Sequence, residues 1–350
     1  MSANRALFFF VVIALSGFVL IYPPMRLWSL LVPDQPPPWF AGVVLFFAPL
    51  LVRLIHTHTS NAFTRLLSAT VMTWIGISFL GFSLLLPTEL LMVAGLVDEV
   101  LIAKAILAAV AVLAGFALYN AHPLHITTLT VDSHQLATGT RLVQISDLHL
   151  GSRQPGLMRR VVAATNALNP DFVLLTGDIV DMHGITEAHL SPLKSLTARV
   201  LFCIGNHERY IDREDICDRL RNCGVHVLRN STIDLDPIQF LGIDDAEMRD
   251  QVAKEITKIT PIADRFRILL YHRPDSAEAA AAWGVNLMLT GHTHRGQLFP
   301  FNFLVKRVFP RLYRDYQIDG MTLYVSSGTG TWGPVMRLGS KCEITLIELL

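Results

Sequence analysis

The chain has 350 residues, with 29 Lys and Arg balancing 29 Asp and Glu and a sequence pI near 7.2. That balance excludes the cationic surplus expected of a nucleic-acid binder. A mean hydropathy of +0.42 is too apolar for a purely soluble protein, and nearly all of the excess falls before residue 122.

Four apolar runs occupy that first third. Crossing a hydrocarbon core takes about 20 residues, which predicts four transmembrane helices at about 6–22, 40–55, 67–86 and 100–119, and a membrane region over 1–122. The first follows Arg5, as a signal peptide would. No small-x-small cleavage site comes after it, however, and Pro23-Pro24-Met25-Arg26-Leu27-Trp28 reads as an interfacial flank. Arg53 and Arg65, with His56 and His58, lie between the second and third runs, whereas Glu89, Asp98 and Glu99 lie between the third and fourth. Arg5 agrees with this bias, Arg26 and Lys104 dilute it, and the positive-inside rule places the C-terminal domain in the cytoplasm. Asp98, Glu99 and Lys104 cluster at the start of the fourth run, where charges reach water, so an anchor is expected rather than a conduction path.

From His125 the texture changes to that of an α/β domain over 123–350. Residues 126–131 alternate as a strand does, 133–139 supply a turn, and apolar runs at 141–145, 171–175, 199–204, 267–270, 285–289, 323–326 and 343–349 read as further strands. Helical periodicity marks 157–168, 187–196, 212–223, 250–259 and 276–283. Alternating strands and helices predict a sheet with ligands at its strand ends. Cys203, Cys217, Cys223 and Cys342 lack zinc-ribbon spacing and read as buried free thiols. After Phe299 and Pro300, the residues Phe301, Phe303, Leu304, Lys306, Arg307, Phe309, Arg311, Tyr313 and Arg314 interleave aromatic and basic side chains. Two readings are open for this segment: a dip into a membrane interface that holds an anionic headgroup, or an ordered loop over the sheet with solvated charges.

Five blocks carry the chemistry: Ser146-Asp147-Leu148-His149, Gly177-Asp178-Ile179-Val180-Asp181, Gly205-Asn206-His207-Glu208, Tyr271-His272-Arg273-Pro274 and Thr290-Gly291-His292-Thr293-His294-Arg295-Gly296-Gln297. Each follows an apolar run, so oxygen and imidazole donors collect at the ends of several strands, as a two-metal hydrolytic site requires. Any one of these histidines alone would more often be structural; His183, His189 and His226, outside the blocks, are read as structural or surface residues.

The five blocks resemble those of the calcineurin-like metallophosphoesterase superfamily, and residues 143–151 with the His-Arg-Pro-Asp and Gly-His-Thr-His blocks resemble its membrane-associated bacterial phosphodiesterase branch. The likeness runs from about Ile126 to the C-terminus and leaves the four helices unaddressed. It implies a four-layer α-β-β-α sandwich. It also implies two divalent metal ions drawn from Mn, Fe, Zn or Mg, with Asp147, His149 and His294 on the first, Asn206, His272 and His292 on the second, and Asp178 bridging. The expected nucleophile is a hydroxide bridging the metals. His207 is the candidate for stabilising the transition state or protonating the leaving oxygen, and Asp181 and Glu208 are candidates for orienting ligand histidines. Where related proteins usually read Gly-His-Thr-His-Gly-Gly-Gln, this chain has Arg295. Either its backbone angles are ordinary, or its guanidinium reaches the substrate phosphate.

The leading expectation is a multi-pass protein, of the bacterial inner membrane, that hydrolyses a phosphodiester or pyrophosphate, with lipid-linked phosphates among the expected substrates. Its expected partners are the lipid bilayer and the phosphate ester, and nucleic acid is not among them. A pyrophosphatase of nucleotide-linked lipid precursors is the runner-up. An inactive membrane sensor or scaffold should lack ligands, and none of the seven positions is missing. A transporter would need polar residues at mid-membrane, where the runs offer chiefly Ser and Thr.

Overall fold

A computed structural model describes residues 15–58, 62–133, 139–151, 156–182, 184–246 and 248–350, with the side chains of 53 and 56–58 and of 62 left aside. Arg5, His183, most of the predicted turn at 133–139 and the first half of the first predicted span lie outside the described residues. The chain divides into one compact unit of 1–119 with 333–336 and another of 120–332 with 337–350.

In the first unit the described residues contain two helices long and apolar enough to cross a membrane, Phe63–Val93 and Glu99–Asn120, rather than four. The apolar helices Leu15–Leu31 and Trp39–Val52 are shorter. Leu15–Leu31 begins at the first described residue and includes the helix Tyr22–Leu31, which carries proline in its first turn, and Pro49 falls inside the helix Trp39–His58. Pro23 to Trp28 lie within the helix Tyr22–Leu31. The two long helices expose rows of large apolar side chains, Leu90 at 75% and Val112 at 71% among them, which the core helix of a soluble protein would hide. Glu89, counted above as a loop charge, lies inside the helix Ala62–Val93 and pairs with Arg26 at 2.7 Å. The acidic loop is thus one carboxylate poorer, and the charge bias that orients the chain is weaker than the sequence suggests.

The second unit is built from strands β1 (Leu124–Val131), β2 (Thr140–Ile145), β3 (Phe172–Thr176), β4 (Arg199–Cys203), β5 (Val225–Val227), β6 (Ser231–Leu235), β7 (Ile238–Gly242), β8 (Phe266–Leu270), β9 (Leu287–Thr290), β10 (Arg314–Ile318), β11 (Met321–Val325) and β12 (Cys342–Leu349). They form two six-stranded sheets, ordered β1-β12-β2-β3-β4-β5 and β10-β11-β9-β8-β7-β6. Period-two patterning assigns the faces. Leu142, Leu174 and Leu201 point into a cluster shared with Phe240, Ile268, Leu270 and Leu289 of the other sheet. Their neighbours Val143, Val173 and Phe202 instead meet Leu157, Val161, Ile216 and Leu220 of the helices Gly156–Ala167 and Arg213–Asn222. On the far face of the second sheet, Leu241, Leu269 and Met288 pack on Val252, Ile256, Ala277 and Ala280 of two more helices. Helices thus cover the outer faces of two stacked sheets, one core lying between the sheets and one on either side.

Two features position the site. β2, β3 and β4 run parallel in one sheet, and β8, β9 and β11 run parallel in the other, so their C-terminal ends gather on one edge of each sheet. Gln144 joins the two edges, its Nε2 donating to Thr176 Oγ1 at 2.8 Å and to the Thr290 carbonyl at 2.9 Å. All four cysteines are free and buried.

Candidate metal centre

The donors stand where strands stop. Asp147 and His149 follow β2, Asp178 follows β3, Asn206 and His207 follow β4, His272 follows β8, and His292 and His294 follow β9. The turns are tight enough that Asp147, His149, Asp178, His292 and His294 adopt positive φ between 48° and 69°. Such angles are costly for residues with a Cβ, so the surrounding structure must impose them. Gly205 and Gly291 make the approach possible: a Cβ on Gly205 would lie 2.3 Å from Asp178 Oδ1, and one on Gly291 would lie 2.2 Å from Asp147 Oδ2.

Two triads result. Asp147, His149 and His294 form one and Asp178, His272 and His292 the other, each with donor atoms within 4.8 Å of one another, and a third group of the same span, His149, Asp181 and His207, shares His149 with the first. They are contiguous, since His272 Nε2 stands 3.0 Å from Asp178 Oδ2 and 3.9 Å from Asp147 Oδ1. Imidazole nitrogens also face each other, at 3.0 Å for the Nε2 atoms of His149 and His294 and at 3.2 Å for His292 Nδ1 and His272 Nε2. Two lone pairs so placed repel unless a proton or a cation lies between them. Asn206 Oδ1 is buried without a hydrogen-bond partner, an acceptor that a cation would satisfy. The donor set of carboxylate, imidazole and amide oxygen therefore suits two divalent ions of the Mn, Fe or Zn kind.

Electrostatics sort the histidines. Burial alone would lower His272, but Asp178 outweighs it and pushes the imidazole up to about 10. Asp178 in turn is held well below the usual carboxylate range, because His272 overcomes the opposing effect of burial. His149 is likewise raised against its burial by Asp181, whose Oδ2 lies 3.5 Å from Nδ1, through a long polar contact and the carboxylate's charge. His292 is pushed well down by burial, then by His272 and Arg273. His294 falls for the same first reason, with His149 and Arg337 next.

His207 sits at the rim. Its backbone N–H donates to Asp178 Oδ1 at 2.8 Å, its Nε2 is 3.9 Å from Asp178 Oδ2, and its ring meets those of His149, Tyr210 and Trp332 edge-on. Burial lowers its pKa. A neutral ring at pH 7 can still donate one hydrogen bond toward a phosphoryl oxygen.

Two expectations need correction. Glu208, expected beside a ligand histidine, instead accepts from the backbone N–H groups of Asp178, Ile179, Val180 and Gly205 at 2.7–3.0 Å, tying the β3 and β4 loops together. Burial and the nearby Asp178 push this carboxyl up to about 7. Arg295 does not have ordinary backbone angles, since it holds φ 53° and ψ 30°, where glycine is favoured. Its guanidinium lies 4.4 Å over the Tyr313 ring.

Sequence reasoning missed two residues behind the ligands. Arg337 is fully buried, and its Nη1 and Nη2 atoms donate to the carbonyls of His294, Ser327, Gly328 and Gly330. Nη2 also stands 3.3 Å from His294 Nδ1. Asp245, 2% exposed, receives Arg273 Nε at 2.5 Å and Arg209 Nη1 at 3.3 Å, and so fixes the residue next to His272. Neither stands in a motif block; the one signal that could have found the first is a guanidinium set within the apolar run Val335-Met336-Arg337-Leu338.

The calcineurin-like phosphoesterase profile matches residues 140–296, which hold all of the donors. A metallophosphoesterase of Bacillus subtilis, YkuE, is 32% identical over 256 residues, covering 67% of this chain and 89% of that protein. The chain belongs to the calcineurin-like phosphoesterase family. The metallophosphoesterase Cj0846 of Campylobacter jejuni is 31% identical over 64% of this chain and 63% of its own length. A zebrafish (Danio rerio) transmembrane protein with metallophosphoesterase domain is 34% identical over 68% of this chain and 60% of its own. The chain thus spans about three-fifths of the length of the first curated relatives it matches.

Proposed function

We propose that the protein is a membrane-anchored, metal-dependent phosphoesterase that cleaves a phosphodiester or pyrophosphate bond at a dinuclear centre. The observation that carries this reading is the meeting of two carboxylate–imidazole triads beside the orphaned Asn206 oxygen. In it, Asp147, His149 and His294 would hold one ion and Asn206, His272 and His292 the other, with Asp178 as the carboxylate that would be shared between them. Two such ions, when bound, supply Lewis acidity and a water of lowered pKa at neutral pH.

The chain's own groups do the rest. Asp178 shares its charge between the two halves, and its position is fixed by the His207 amide. Asp181 orients His149 through Nδ1, leaving Nε2 for the ion. His207, neutral and facing Asp178 across the mouth, donates to the phosphoryl oxygen as charge builds there. Arg295, raised on the Tyr313 face, binds the substrate phosphate. The two long apolar helices, and a transmembrane relative, support an anchor in a membrane; the loop charges are the basis for proposing that the catalytic unit lies on the cytoplasmic side of a bacterial inner membrane. A lipid-linked phosphate, including a nucleotide-linked lipid precursor, is the substrate class that such an anchor favours.

The test is hydrolysis of an aryl phosphodiester and an aryl phosphomonoester by detergent-purified protein, metal-free and then with Mn, beside Asp178→Asn. Turnover that requires metal and is lost in the variant supports the proposal, and the diester-to-monoester ratio reports the substrate class. Protein that binds metal poorly and turns over neither ester belongs to the scaffold reading.

A further inference from the structure

Residues 299–308 form a surface with no evident use in the reaction. The helix Asn302–Val308 buries none of its residues. Around it Phe303, Leu304 and Val308 are 51–63% exposed, and Phe299 and Phe301 are 49% and 42% exposed. Five large apolar side chains in ten residues make a contiguous patch of a kind that a soluble surface avoids. Lys306 and Arg307 occupy the last turn of the same helix, and neither pairs with a carboxylate among the described residues, whereas the nearby Arg311 is bound to Glu278. Unlike a core element, this segment is apolar and cationic on its outside.

It is also fixed to the metal centre. Phe309 packs edge-on against His292 with ring centroids 5.0 Å apart, Thr293 Oγ1 donates to the Leu312 carbonyl at 2.7 Å, and a Cβ on Gly296 would lie 2.3 Å from Asn302 Cα. The chain itself keeps a bilayer within reach. Three residues, 121–123, separate the apolar helix Glu99–Asn120 from β1, a tether of at most about 14 Å.

We infer that the 299–308 segment docks into the interface of an anionic bilayer, its phenyl and aliphatic groups among the upper acyl chains and Lys306 and Arg307 on the headgroup phosphates. Aromatic and aliphatic groups on one side with cations beside them are what such an interface selects. Docking brings the mouth of the metal centre to the headgroup layer, where a lipid phosphoester presents its phosphorus. This consequence rests on the phosphoesterase reading, whereas the docking itself does not.

The test uses the full chain reconstituted in vesicles. Because the native cysteines are buried, a polarity-sensitive dye can be placed selectively on Val308→Cys and, for comparison, on His226→Cys, an exposed position in β5. In vesicles of phosphatidylcholine with phosphatidylglycerol, the dye at 308 should be quenched by brominated acyl chains and shielded from iodide, and the dye at 226 should behave oppositely. Each cation contributes about fivefold near an anionic surface, so Lys306→Gln with Arg307→Gln should lower the docked-to-undocked ratio roughly 25-fold. A dye at 308 that iodide reaches and brominated lipid does not would overturn the inference. So would equal lipid quenching at both positions, and so would self-quenching between labelled copies, which would assign the face to a second copy of the chain. Since the readout needs no turnover, failure here leaves the phosphoesterase reading intact, and an inactive protein could still dock.

Discussion

The two halves of the metal centre are built from the same residue types but set their histidines differently. In the half of Asp147, His149 and His294, the carboxylate that raises a histidine is Asp181, which stands outside the ligand set. In the half of Asp178, His272 and His292, it is Asp178 itself, 3.0 Å from His272 and the expected bridge. The second half therefore stores a proton between two of its own ligands, and an incoming cation must displace it. In the first half the raised histidine, His149, is paired with Asp181, which is not one of the expected ligands. The lesson is that the halves should fill unequally, with the first ahead of the second at lower pH.

The largest effect should come from removing the second half's imidazole. His272→Ala should lose the second ion and drop metal-dependent diester turnover to background while the first ion is retained, as metal analysis of the purified variant would show. Acidification comes next. The raised His272 pKa means that metal affinity at the second half grows with pH up to about 10, so moving from pH 8 to pH 6 should weaken it roughly 100-fold, about tenfold per unit for one displaced proton. Calorimetry at several pH values checks this, and equal pH slopes at both halves would erase the distinction. Asp181→Asn should act on the first half alone, with a loss of about 10- to 100-fold in its metal affinity. The smallest effect is expected at Arg295. Its replacement by glycine relieves left-handed strain of about 1–2 kcal/mol, offset by the lost contact with Tyr313 and the freer unfolded chain, and removes the phosphate contact, so KM should rise a few-fold with little change in fold stability. Unchanged KM and turnover would strike Arg295 from the site.

The difference between the halves was not legible in the sequence, although the donors were. An apolar run that stops at Asp, Asn or His announces both a buried strand and the chemistry at its end, and so β2, β3, β4, β8 and β9 were found with the ligands that follow them. Short half-exposed strands were not. Ser231–Leu235 alternates intermediate and exposed positions, and Arg314–Ile318 is mostly polar, so β6 and β10 owe their form to pairing with β7 and β11 rather than to local pattern. The helix at Asn302–Val308 was hidden because none of its side chains is buried and no hydrophobic stripe marks it. Arg337 and Asp245 act across 43 and 28 residues of sequence, on His294 and Arg273, and only the fold brings them together. Of the four predicted spans, the described residues contain two helices long and apolar enough to cross a membrane, and the first half of the first span lies outside those residues.

The central claim is that one bridging carboxylate, Asp178, serves two ions and the reaction together. It is tested most directly by counting bound metal and measuring aryl diester hydrolysis on the same preparations of the native chain and Asp178→Asn. The account predicts two ions per chain and metal-dependent turnover in the native protein, with both metal content and turnover reduced in the variant. Full turnover in Asp178→Asn, or a native chain that hydrolyses the diester with a single bound ion, would contradict it.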